Sequence, residues 1–96
     1  MNKDSILAKL KQLKPKLQEE YSVKEIGLFG SFKNHSFTSE SDIDLLVEFE
    51  NPVGWKFFSL ELYLEKEFGR KVDLVTKNAL KEQLKDRILN DVEYIL

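Results

Sequence analysis

Asp42, Asp44 and Asp73 keep unusual company. The stretch "SDIDLLVE" at 41–48 sets two carboxylates one residue apart at the mouth of an apolar run, and "VDLV" at 72–75 sets a third in the same context. In a strand, residues i and i+2 point to one face, so Asp42 and Asp44 project together while Ile43 faces the other way. Two carboxylates that close repel each other and are costly to ionise side by side. A divalent cation is the usual compensation, and hard oxygen ligands suit Mg²⁺ or Mn²⁺. If the two strands are neighbours, Asp73 completes a three-carboxylate cluster. Such a cluster suffices for a two-ion site, in which metals about 3.5–4 Å apart hold the attacking and leaving oxygens of an in-line displacement.

A site of that kind acts on a phosphate, and "FGS" at 29–31 offers a place for one. Gly30 lets the chain turn and brings backbone N–H groups close, while the Ser31 hydroxyl adds a donor. A Gly-Ser pair alone is an ordinary turn, and two nearby aspartates alone are ordinary solvated charges at a strand end. The combination is far more specific: Gly-Ser, then Asp-Ile-Asp eleven residues later, then another strand-borne Asp. For Asp73 by itself, an ion pair with Arg70 or Lys71 is the competing reading.

The elements that must position these groups follow from periodicity. Ile6, Leu7, Leu10 and Leu13 recur at helical spacing, with Asp4 or Ser5 placed as a cap. Pro15 predicts a break at Lys14, with a second short helix from Pro15 to about Tyr21. "VKEIGLFG" reads as a strand ending at Gly30, residues 31–41 as a polar connection, and "IDLLVEF" as a second, central strand that Asn51-Pro52 stops. A helix runs from about Gly54 to Phe68, its apolar face made by Phe58, Leu62, Leu64 and Phe68, and Gly69 ends it. Lys71 to Val75 is a third strand. A last helix from about Asn78 carries Leu80, Leu84, Ile88, Val92 and Ile95 on one face. This order predicts a single α/β (α+β) domain over residues 1–96, a short mixed three-stranded sheet packed with helices.

Composition narrows the class. A 42% apolar and 33% charged chain of 96 residues is an ordinary globular one, and its net charge of −2 gives no footprint for wrapping nucleic acid. Residues 1–24 carry six lysines against three acidic groups, which reads as a solvated helix face. The absence of cysteine excludes disulfides and thiolate metal sites, no signal peptide is visible, and no apolar stretch could span a bilayer, so a cytoplasmic protein is expected. His35, the one histidine, falls in the polar connection and reads as an exposed loop residue. Trp55, Phe57 and Phe58 read first as core, although three aromatics exceed what one helix face needs. Arg87 divides evenly between an ion pair with Asp91 and a role at a nucleotide or partner. Tyr21, Tyr63 and Tyr94 carry no mark of a modification site.

The segments "LFGSF", "ESDIDLLVEF" and "GRKVDLV" together closely resemble the minimal nucleotidyltransferases, the smallest members of the polymerase-beta-like superfamily, across nearly the whole chain. The resemblance implies that Gly30 and Ser31 bind a nucleoside triphosphate, ATP in this family. It implies that Asp42 and Asp44 hold two Mg²⁺ ions, and that Asp73 helps hold the catalytic ion and takes the proton from the attacking hydroxyl. It further implies an antitoxin role beside a HEPN-domain RNase toxin, with AMP passed to a toxin tyrosine. The family commonly reads Gly-Ser-x-Ala-Arg-Gly, whereas this chain has "GSFKNH", with Lys33, Asn34 and His35 in the last three places. Lysine replaces the charge of the missing arginine but not its bidentate fork, so Lys33 is the nucleotide-binding cation expected here. The predicted elements leave no second domain to bind an acceptor, which favours a partner protein presenting the hydroxyl. Two alternatives remain open: an antitoxin that neutralises the toxin by binding alone, and a small-molecule nucleotidyltransferase completed by a homodimer.

Overall fold

In the computed structural model, which describes residues 2–33, 37–38 and 40–95, α1 (Lys3–Tyr21) is followed by β1 (Val23–Phe29), β2 (Ile43–Phe49), α2 (Lys56–Phe68), β3 (Val72–Thr76), a 3₁₀ turn (Lys77–Ala79), α3 (Glu82–Asp91) and β4 (Glu93–Tyr94). Asn34 and His35, singled out above, lie outside the described residues.

The four strands form one sheet in the order β3-β2-β1-β4. β1 pairs antiparallel with β2 and with β4, and β2 runs parallel to β3, the two joined by α2 as crossover. Alternation sends Ile43, Leu45, Val47, Val72 and Leu74 to one face, where they pack with Ile6, Leu10 and Leu17 of α1 and Leu60 and Leu64 of α2 in a single core. Asp44, Leu46 and Glu48 of β2 are thereby turned to the other face. At its far end that face sets Glu25 opposite Glu48, like charges that repel. Lys77 bridges them at 3.0 and 3.2 Å, and the two carboxylates hold its ammonium charged well beyond the usual range.

Four expectations are corrected. The sheet has four strands rather than three, because the chain does not stay helical to its end. Val92 caps α3, Glu93 and Tyr94 pair with β1, and the Ile95 N–H donates to the Ile26 carbonyl at 3.0 Å. The free edge of β1 would otherwise leave its backbone groups without sheet partners. Gly27 admits this close approach: a Cβ there would lie 2.7 Å from Val92 Cγ2 and 2.9 Å from the Glu93 oxygen. Second, α1 continues through Pro15. Pro15 sits on the exposed side, where water can satisfy the Lys11 carbonyl that loses its partner. Third, the N-cap of α1 is Asn2, whose side chain accepts from the Ser5 N–H while Ser5 Oγ accepts from the Asn2 N–H, both at 2.9 Å.

The fourth correction concerns α2, which starts at Lys56. The sequence supports two apolar stripes, and the sheet takes the one made by Leu60, Leu64 and Phe68. Phe58 and Leu62, expected in the core, are 57% and 66% exposed, and Trp55 is 85% exposed beside them, while Phe57 packs against the core. Gly69 ends the helix as expected, in the left-handed region with its N–H on the Glu65 carbonyl. Among the described residues no helix is long and apolar enough to cross a membrane.

Candidate functional site

The adjacency that the acidic cluster requires is present. β2 and β3 are neighbours, and Asp44 and Asp73 are direct register partners on them. Asp42 comes one residue before β2. The Ile43 N–H donates to the Lys71 carbonyl at 3.0 Å, so the entrances of both strands are stitched together. The Asp44 carboxyl is pushed up from 3.8 to about 6, by burial first, then by the negative charges of Asp73 and Asp42 and by hydrogen bonding with Asp73. Asp44 therefore senses the charges of both other aspartates, as their types and spacing predict.

Gly30 ends β1 beside them. Its φ of +77° lies in the left-handed region, and a Cβ built on it would fall on Asp44 Oδ2, with Asp44 Cγ at 2.9 Å. Glycine is required twice here, once by backbone conformation and once by the carboxylate packed against it. Ser31 follows, half-buried, in the turn at 31–33. Lys33 is in that turn too, but its ammonium is directed to α3, 3.7 Å from Asp91 Oδ1. The ion pair considered for Asp91 is thus made with Lys33, not Arg87.

The connection back to Asp42 is braced. The Arg70 guanidinium donates to the Ser41 carbonyl at 3.0 Å and lies 5.3 Å from the centre of the Phe32 ring, which stacks on Phe37 at 4.6 Å. Ser41 closes a short turn: its Oγ accepts from the Thr38 N–H at 2.8 Å and its N–H donates to the Thr38 carbonyl at 3.1 Å. Arg70 thereby fixes the approach to Asp42.

A cavity of about 600 Å³ opens between the end of β1 and α3, lined by Phe29, Gly30, Leu84, Arg87, Ile88 and Asp91 among others. Its size suits a small-molecule ligand. Leu84 and Ile88 were expected in the core because a stripe at helical spacing usually is. α3 instead buries none of its residues and presents Leu84 and Ile88 to the cavity.

Hard carboxylate oxygens at Asp42, Asp44 and Asp73 have the chemistry to hold a divalent cation, whose charge would offset both the burial and the repulsion that raise Asp44. Among the described residues no group of three or more such side chains is gathered into a ready-made metal cage. Mg²⁺ does not demand one, since it is typically held by one or two carboxylates together with water and substrate phosphates.

Comparison with known proteins adds a family. Residues 10–95 match the family described as nucleotidyltransferase domain. A relative from Thermococcus cleftensis, the protein adenylyltransferase MntA, is 43% identical over 83 residues, covering 85% of this chain and 84% of its own. A solved structure provisionally described as a minimal nucleotidyltransferase superposes with a TM-score of 0.79 at 26% identity, covering 97% of this chain and 95% of that one. The complex of a tri-AMPylated Shewanella oneidensis HEPN toxin with its MNT antitoxin shares the fold, with a TM-score of 0.63 at 20% identity over 90% of this chain and 68% of that one.

Proposed function

The chain belongs to the nucleotidyltransferase family, and from that premise we propose a protein-modifying activity. It transfers AMP from ATP to a hydroxyl, a tyrosine in our reading, of a partner HEPN toxin, and acts as that toxin's antitoxin. The observation that carries this reading is the pairing of Asp44 with Asp73 on adjacent parallel strands, with Gly30 packed against the Asp44 carboxylate. The named relatives support the choice of AMP and of a protein acceptor.

In this mechanism Asp42, Asp44 and Asp73 would hold Mg²⁺, whose charge would offset that of the triphosphate. The turn at Gly30-Ser31 places backbone N–H groups and a hydroxyl against the phosphates. The acceptor oxygen forms a bond to the α-phosphorus, the bond from that phosphorus to the β-phosphate oxygen breaks, and pyrophosphate leaves with the electron pair. Asp73 takes the hydroxyl proton. It is exposed on the sheet, where an acceptor carried by a separate protein can reach it. The chain's own contribution is positioning and electrostatics.

The test is intact mass spectrometry of the HEPN partner after incubation with this protein, Mg²⁺ and ATP, with Asp42→Asn in parallel. We expect AMP increments with the wild type and none with the variant. An unmodified partner that co-purifies with both proteins supports instead an antitoxin that works by binding. The engagement of Lys33 by Asp91, which draws the expected phosphate cation aside, is the observation that favours this second reading.

A further inference from the structure

Resting on the reading above, we propose that the cavity between the end of β1 and α3 receives the β- and γ-phosphates, and that Arg87 is their cationic ligand. Three observations converge. The cavity shares Gly30 with the acidic cluster: Gly30 lines its wall and packs against Asp44, so a triphosphate whose α-phosphate lies at the aspartates has its tail at the cavity mouth. Mg²⁺ at Asp42, Asp44 and Asp73 would offset only part of the negative charge of a triphosphate, and the tail beyond it is stabilised by a further cation on the cavity side. Among the described residues, Lys33 is drawn to Asp91 and Arg70 is committed to the Ser41 carbonyl and the Phe32 ring, whereas Arg87 is exposed, lines the cavity and enters no ion pair.

The chemistry suits the task. A guanidinium offers a planar fork that grips phosphate oxygens bidentately, which an ammonium cannot do. The Lys33–Asp91 pair has a consistent role here. Asp91 lines the same cavity, and an unpaired carboxylate there would repel the phosphates; Lys33 cancels that charge and leaves Arg87 to decide the sign of the field. Leu84 and Ile88 form the apolar flank on which α3 presents the arginine.

The experiment is calorimetric titration of the full chain with α,β-methylene-ATP and Mg²⁺, and separately with AMP, for the wild type, Arg87→Gln and Arg87→Lys. Arg87 is exposed, so the variants are expected to fold, and thermal melts monitor that. Losing a charge-assisted hydrogen bond should weaken the triphosphate analogue about 10–100-fold in Arg87→Gln. Arg87→Lys should fall between, AMP affinity should stay within about twofold, and competition by pyrophosphate should weaken in parallel with the analogue. Equal affinity of wild type and Arg87→Gln for the analogue overturns the assignment of Arg87 and leaves the transferase reading standing. A parallel loss of AMP affinity also overturns it, since the residue would then act on the nucleoside or on the fold. A wild-type protein that binds no triphosphate overturns the transferase reading itself.

Discussion

A Cβ placed at Gly30 tests the site geometry directly, because Gly69 supplies an internal control. Both glycines have positive φ, +77° and +62°, but a Cβ at Gly69 meets nothing within 4 Å whereas one at Gly30 falls on the Asp44 carboxylate. Gly69→Ala should carry only the left-handed backbone cost, about 1–2 kcal/mol. Gly30→Ala should carry the same cost plus the expulsion of the carboxylate, about 1–3 kcal/mol more by analogy with overpacked cores. In a domain of this size each kcal/mol lowers Tm by about 4–8 °C, so the two variants separate cleanly in a thermal or urea melt. The decisive measurement is the double-mutant cycle with Asp44→Ala. Removing the carboxylate should bring the cost of Gly30→Ala down to near that of Gly69→Ala, a coupling of about 1–3 kcal/mol. If the two alanine variants lose equal stability, or if Asp44→Ala leaves the excess unchanged, Asp44 does not lie against Gly30 and the site has been misassembled.

Other expectations follow from the same structure. The raised Asp44 carboxyl, 3.8 to about 6, means that the folded chain holds this proton more tightly than the unfolded one, so stability from this group is complete below about pH 4 and is lost as pH rises through 6. At full value the loss is about 3 kcal/mol, and screening of a half-exposed group reduces it to about 1–2 kcal/mol. In chelator, the stability difference between wild type and Asp44→Asn should drift by that amount between pH 4 and 7, and parallel pH curves would contradict it. Leu60→Ala should cost about 2–5 kcal/mol in urea unfolding while Leu62→Ala, three-fifths of a turn away and 66% exposed, stays within about 0.5 kcal/mol; the reverse order would place the wrong stripe of α2 in the core. Pro15→Ala restores a hydrogen-bond donor inside α1 and should stabilise the chain by about 1–3 kcal/mol, and a neutral or lower Tm would argue for the break that the sequence suggests.

Legibility in the sequence divides along physical lines. Strands β1, β2 and β3, the end of α2 at Gly69 and the acidic set Asp42, Asp44 and Asp73 were readable because period-two alternation, a terminating glycine and charges inside apolar runs are local signals. The stripe of α2 was not, since Phe58 with Leu62 and Leu60 with Leu64 satisfy the same helical spacing and only the sheet chooses between them. The chain's end was not readable either: Val92 and Ile95 continue a helical period, and the unpaired edge of β1 that draws Glu93 and Tyr94 between them into a strand lies some 65 residues upstream, beyond any local window. Its place after Gly-Ser points Lys33 to the phosphates. Its partner Asp91 belongs to a helix distant in sequence, so the diversion of its charge appears only in three dimensions.

β2 shows how a small domain carries core and site on one strand. Ile43, Leu45 and Val47 face the helices, and Asp44, turned by the same pleat, faces the aspartates and Gly30. Slipping β2 by one residue would carry Asp44 into the core and Ile43 and Leu45 to the open face. Burying that charge without a partner costs several kcal/mol, a large fraction of the total stability of a small folded chain. Asp44 thus penalises the wrong register at the position that places it beside Asp73. The repulsion it suffers in the right register is the smaller cost, and it is one that a bound cation removes.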